Sequence, residues 1–253
     1  MIVISLLVVF LCSCEDHPGE PKGKVNNAMD YYFPIEDLRD TKVYHYKPTN
    51  KANQEMYWVL SVHDTLGKTY MITDAYSKDV NGTAWKLEWM KEEITIDSAV
   101  VKDYIRYYYD DSRYITPIRA TIQSPTTFRK ELNKNSSVIW GYSANDPYSA
   151  SVKEEMKRKR TYTGNSYETN FNNQKVEALV FKDQFIIRQI KNKDEVLSVE
   201  DFYQYSYYAK GIGLIKYKRF FDESTYEFTL VDIYSVDNQN VPDLIRNKYD
   251  LSD

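Results

Sequence analysis

From Tyr31 to Val236 the chain is built of short segments in which apolar and polar residues alternate with a period of two, and turn residues divide one segment from the next. Period two sends successive side chains to opposite faces of a strand, so the pattern predicts a run of antiparallel strands. Trp85, Leu87 and Trp89 share one face while Lys86 and Glu88 share the other, the cleanest half-buried strand in the chain. Residues 56–63 and 69–76 flank Asp64-Thr65-Leu66-Gly67 as a hairpin. Asn81-Gly82, Asn172-Asn173 and Lys210-Gly211 supply residues that accept the positive φ of a tight turn. Gly213, two residues on, predicts a close backbone approach. Twenty-four tyrosines against eight glycines suit such a body. A tyrosine ring packs on a pleated surface while its hydroxyl stays wet. The expected fold is mainly all-β: a curved antiparallel sheet, or an open or half barrel, with one or two short helices.

Two stretches depart from the alternation. Ser124 as a cap and Pro125 at the first helical position, with Phe128 and Leu132 four apart, predict a short helix to about residue 133. It would join strand-rich halves 29–123 and 137–236 within a single β-rich domain, 29–253. Ser151-Val152-Lys153-Glu154 reads either as a capping box opening a helix or as a strand running to Gly164. The basic run at 157–160 reads as a solvated face. Asn240 to Ile245 starts a last helical turn.

The N-terminus is an address. The apolar run 2–11 is about half the ~20 residues a spanning helix needs and fits the core of a secretory signal. Leu11-Cys12-Ser13-Cys14, which follows, resembles the lipobox of bacterial lipoproteins, with a small residue just before the cysteine to be acylated. That resemblance implies a signal peptide at 1–13 and lipidation of Cys14. A polar, flexible tether would then run to residue 28. Cys12 leaves with the signal and Cys14 carries lipid, so a disulfide framework, a thiolate nucleophile and a cysteine-ligated metal are excluded. Glu15-Asp16 resembles the acidic export tag of surface lipoproteins of the Bacteroidetes.

Chemistry is sparse. His17, His45 and His63 show no metal-ligand spacing, and no nucleophile elbow, phosphate loop or dinucleotide fingerprint occurs. A net charge of −4 argues against nucleic acid as a partner. No cofactor and no catalytic residue is expected.

Three pieces of the second half are distinctive: Arg160-Thr161-Tyr162-Thr163-Gly164, Lys175 to Asp183, and Tyr207-Tyr208-Ala209-Lys210-Gly211-Ile212-Gly213-Leu214-Ile215-Lys216. Together they resemble a widespread group of exported bacterial proteins of unknown function, often lipoproteins. The resemblance spans residues 160–233 and implies architecture, a curved antiparallel sheet or open barrel, without any functional residues.

The expected function is a cell-envelope lipoprotein of the outer membrane, facing the periplasm or the cell surface. Acylated Cys14 is its membrane contact, and a non-catalytic β-rich body binds or scaffolds a ligand. One alternative is a carrier for an apolar or lipid ligand in a half-barrel groove, with Trp85 and Trp89 as candidate ligand-facing aromatics. Another is a glycan-binding or glycan-processing accessory protein that uses exposed tyrosines.

Overall fold

The computed structural model describes residues 17–18, 22–49, 54–110, 114–192 and 195–249. In chain order these form β1 (His17–Pro18), β2 (Lys24–Val25), β3 (Lys42–Pro48), β4 (Glu55–Thr65), β5 (Lys68–Lys78), β6 (Ala84–Ile94), β7 (Ser98–Tyr109) and β8 (Ile115–Arg119). Then come β9 (Thr121–Arg129), β10 (Leu132–Asn133), β11 (Ser137–Asp146), β12 (Ser149–Phe171), β13 (Gln174–Lys191), β14 (Glu195–Ala209), β15 (Gly213–Phe221), β16 (Ser224–Ser235) and a helix, α1 (Asp243–Tyr249).

Twelve of these strands, β3 to β7, β9 and β11 to β16, follow one another as antiparallel neighbours and form a closed barrel. The first barrel strand closes on the last, with Lys42 opposite Ser235 and Pro48 opposite Phe228. The expected curved antiparallel sheet is there, but it is a closed barrel, not an open or half barrel. Closure pairs the two edges that an open sheet would leave with unmatched N–H and C=O groups. Asn172 and Asn173 turn the β12–β13 hairpin at φ of 49° and 63°, as the tight turn requires. The alternation read from the sequence now has a direction. On β14, Phe202, Gln204, Ser206 and Tyr208 are buried, while Asp201 and Tyr203 are exposed. Outward positions such as Lys157, Lys159 and Lys182 carry exposed charge. Those positions face water, unlike the apolar outer band of a membrane-spanning barrel.

One end of the barrel is plugged by residues 28–39, which form two short 3-10 turns, Ala28–Tyr31 and Asp37–Arg39. Ala28 N–H donates to Lys130 O (2.7 Å), and Gly211 N–H donates to Asp30 O (2.8 Å). Tyr32 and Phe33 enter the barrel and pack with Tyr44, Phe128 and Tyr208. Gly213 makes room for them: at φ +99°, a Cβ there would stand 2.4 Å from Phe33 Cδ1 and 2.6 Å from Tyr32 O. Only glycine meets both conditions. On the outside, α1 and the residues before it cover β3 to β5, burying Val241 and Ile245 against Val43, Tyr57, Val59 and Tyr76. This explains why β3 is apolar on both faces. Tyr44 and Tyr46 point inward and donate to Ile212 O and Leu214 O (2.9 and 2.8 Å), while Val43 lies under the helix side.

Several readings of the sequence are corrected. Ser124-Pro125 lies in strand β9 and starts no helix. Pro125 sits opposite Trp140 just before β9 changes partner from β11 to β7 at Thr126, so the missing N–H falls at a gap in the ladder. No helix therefore joins two halves, and the strands of 29–123 and 137–236 share one barrel. The stretch from Ser151 is strand β12, and its basic run divides by phase: Lys157 and Lys159 point out, whereas Arg158 and Arg160 line the interior. Residues 22–28, read as tether, lie along the barrel, with Lys24–Val25 paired to Leu132–Asn133. Cys14 and the signal segment lie outside the described residues.

Candidate functional site

Above the plug the barrel interior is not filled by side chains. A cavity of about 480 Å³ runs up the lumen, walled by Met56, Trp58, Met90, Met156, Phe185 and Ile187. Thr73 and Ala75, small residues on β5, help leave this space. The cavity shares Met56, Tyr217, Arg219 and Phe228 with a shallower concavity of about 410 Å³, to which Gln54, Phe221 and Tyr226 contribute. Those residues flank the 49–54 and 221–224 connections, so the mouth lies at the end opposite the plug.

The lumen is polar as well as aromatic. At its floor Arg160 and Asp183, directly opposed on β12 and β13, form a buried bidentate pair with Nε–Oδ1 at 2.7 Å and Nη2–Oδ2 at 3.0 Å. Ser206 Oγ donates to Asp183 (2.6 Å), Gln204 Nε2 to Ser206 (2.8 Å), and Arg219 Nε to Gln204 Oε1 (3.1 Å). Burial opposes both charges of the Arg160–Asp183 pair, but their mutual attraction outweighs it. The carboxyl is held below its ordinary range and the guanidinium above its own. Arg106 pairs through Nη1 with Glu154, and the Tyr142 hydroxyl accepts from Arg106 (2.7 Å) and donates to Glu154 (2.6 Å).

Two arginines differ. Arg158 has no carboxylate within ion-pair distance among the described residues and lies 5.4 Å from the Trp140 ring centroid. Burial, with added repulsion from Arg160, lowers its pKa. Arg219, near the mouth, is set among Phe185, Phe202 and Tyr217 at 5.3–5.8 Å. Four buried nitrogens on lumen-lining residues find no acceptor among the described residues: Trp58 Nε1, Trp140 Nε1, Arg158 Nε and Arg160 Nη1. Trp140 and Arg160 are 7% and 3% exposed, so bulk water does not account for them.

Glu92 faces this group from β6. It is fully buried and accepts from Tyr32 hydroxyl (2.8 Å) and Thr127 hydroxyl. Burial raises its pKa despite those bonds and the nearby Arg158 and Arg160. Above the ordinary carboxyl value of about 4.3 the unfolded chain has released a proton that the folded one still holds. Stability contributed by Glu92 therefore falls as pH rises. Glu92→Gln is expected to melt higher than the parent at neutral pH, with the advantage fading toward pH 4. A difference in melting temperature that stays constant from pH 4 to 8 would refute this.

The two candidate aromatics fall outside the lumen lining, although Leu87 between them is part of it. The register across β5 and β6 shifts at Leu87, with Ala75 opposite Glu88 and Tyr76 opposite Lys86. This bulge puts Leu87 and Glu88 both on the inner side and reverses the phase beyond it. Met90 and Glu92 then face inward and Trp89 outward. Trp85 packs edge-on against Tyr109 (4.8 Å) at the start of the strand. His45 stacks on Tyr57 (4.3 Å) with Nε2 3.1 Å from Glu55, and His63 Nε2 lies 3.1 Å from Ser61 Oγ. Among the described residues no group of three or more His, Cys, Asp or Glu side chains is placed to hold a metal. Two of the arginines that line the lumen, Arg158 and Arg160, were hidden in a run read as surface; their signal was the choice of Arg at alternate positions between lysines.

No protein-family model matches the chain, and no curated protein matches it in sequence. Two solved structures are similar in fold. An exported protein with a YmcC-like fold from Bacteroides fragilis NCTC 9343 superposes with a TM-score of 0.54 at 10% identity, covering 80% of this chain and 98% of that one. A protein assigned as a lipoprotein from Parabacteroides distasonis ATCC 8503 gives 0.48 at 11% identity, covering 81% and 98%. The first likeness supports the barrel architecture and nothing finer.

Proposed function

We propose that this chain is a non-catalytic cell-envelope lipoprotein, held to the outer membrane through acylated Cys14, whose barrel lumen binds a ligand. The observation that carries the reading is the lined cavity with four nitrogens lacking an acceptor. A barrel serving only as scaffold gains nothing from such a cavity, because each unmatched buried donor costs about 1–3 kcal/mol. The lumen has the dimensions of a small-molecule site, roughly 300–1,000 Å³. The alternative of a carrier for an apolar or lipid ligand is compatible with a closed barrel as well as with a groove, with residues other than Trp85 and Trp89 lining the site. An outer-wall shelf where Tyr203 stacks on Phe220 (4.7 Å) beside Asp201 and Asp222 is the feature nearest to a glycan site. Its rings cover each other's faces, which favours the lumen.

Native mass spectrometry of the protein purified from its own host tests this reading. One low-mass species per chain, released on denaturation, is the expected result. A ligand-free mass in every preparation would count against it. For the anchor, Cys14→Ser is expected to move the protein from the membrane to the soluble fraction or to leave the signal uncleaved. Two or more acyl chains at about 0.8 kcal/mol per buried methylene make a stable anchor, whereas an unmodified serine makes none. A mature, membrane-bound variant would exclude the assignment.

A further inference from the structure

The unmatched groups also describe their partner. All four are N–H donors, and none of the buried atoms left without a partner on a lumen-lining residue is an acceptor. The carboxylates of the lumen are already engaged. Asp183 and Glu154 pair with Arg160 and Arg106, Glu88 accepts from Tyr104 hydroxyl (2.6 Å), and Glu92 accepts from Tyr32 and Thr127. Among the described residues Arg158 and Arg219 have aromatic and amide neighbours in place of an anion. A guanidinium in such surroundings binds an incoming carboxylate or phosphate strongly, since little water competes. Much of the rest of the wall is apolar or aromatic, and Met56, Met90 and Met156 supply side chains that adapt to a flexible chain. Arg160 stands at the floor, 4.7 Å from the Tyr208 ring, with Tyr208 stacked on Tyr32 of the plug, and Arg158 lies two residues before it on β12. The apolar wall continues to the mouth through Phe228 and Tyr226.

Resting on the reading of the lumen as a binding site, the geometry points to a single-chain anionic amphiphile as its ligand. Its carboxylate or phosphate head meets Arg158 and the indole N–H of Trp140 beside it, and its hydrocarbon tail runs along the apolar wall toward the mouth. A head that accepts several hydrogen bonds satisfies the donors together, and a tail replaces apolar contact with water along the walls.

Calorimetry on the full-length chain carrying Cys14→Ser, which removes the protein's own acyl chains as competitors, distinguishes the possibilities. Octyl phosphate and octanoate are expected to bind one per chain, at least about tenfold tighter than octanol, with inorganic phosphate giving no measurable binding. Arg158→Met keeps the volume and breaks no ion pair, so it is expected to melt no lower than the parent. It should lose about tenfold or more in affinity for octyl phosphate while octanol binds unchanged. Octanol binding as tightly as the anions would overturn the anionic head, and inorganic phosphate binding as tightly as octyl phosphate would overturn the tail. Either result leaves the lumen as a binding site. Absence of binding by all four, with a native adduct still present by mass spectrometry, would overturn the amphiphile alone. Unchanged octyl phosphate affinity in Arg158→Met would overturn the assignment of the head.

Discussion

Asp183→Asn is expected to lower stability by about 3–5 kcal/mol, the usual cost of leaving one member of a buried pair unmatched. For a chain of this size that is a fall in melting temperature on the order of 10 °C. Asparagine keeps the shape and can still accept from Ser206, so the loss reports the charge. Arg160 then remains buried with rings and no counter-ion. The double variant Arg160→Met, Asp183→Leu should recover most of the loss, because it removes both charges and leaves Ser206 bonded to Gln204. The pH dependence follows from the lowered carboxyl pKa. Its stabilisation is fully present above the unfolded value of about 3.9 and disappears as pH drops through the folded value below that. The gap between parent and Asp183→Asn should thus hold from neutral pH to about 4 and narrow only in stronger acid. A single variant as stable as the parent at pH 7 would show that the pair is dispensable.

Gly213→Ala is the second large effect. The backbone there is held at φ +99°, which costs a residue with a Cβ about 1–3 kcal/mol. The added methyl also meets Phe33 at 2.4 Å and the Tyr32 carbonyl at 2.6 Å, and such overpacking costs about another 1–3 kcal/mol. The ring can turn aside, but the carbonyl belongs to the backbone and cannot move alone. Denaturant unfolding should register the sum, about 2–6 kcal/mol. Limited proteolysis should cut within 28–39 well before it cuts the barrel strands. Phe33→Leu added to Gly213→Ala should restore only part, since the carbonyl contact and the φ strain persist. A loss below about 1 kcal/mol would mean that the plug is not seated as described.

Local chemistry was legible in the sequence. Asn172-Asn173, Lys210-Gly211 and the close approach at Gly213 were readable because a tight turn or crowded backbone restricts residue type by itself. The strand pattern was readable because most barrel strands have a wet face and a buried one, β3 under the helix being an exception. What failed depended on partners distant in the chain. Pro125 looks like the start of a helix until Trp140 and Val100 are known to flank β9. The phase of Trp85, Leu87 and Trp89 looked uniform because a bulge is a relation between two strands. Arg158 and Arg160 were read as surface because nothing local shows that a charged run can be divided between the two sides of a wall. Closure itself is a pairing of the chain's two ends.

That last pairing determines the order in which the molecule can be completed. Every other seam of the barrel joins strands that follow each other in the chain and can zip as they appear. The seam between β3 and β16 cannot begin until residues 224–235 are available, when nearly the whole chain already exists. Contacts between distant segments form slowly because the loop must be closed before the contact rewards it. The first strand therefore waits longest for its partner, its edge open throughout. A chain ending before residue 224 would keep two bare edges and could pair with a second copy of itself. Completion of the last strand is thus the event that removes the barrel's two open edges.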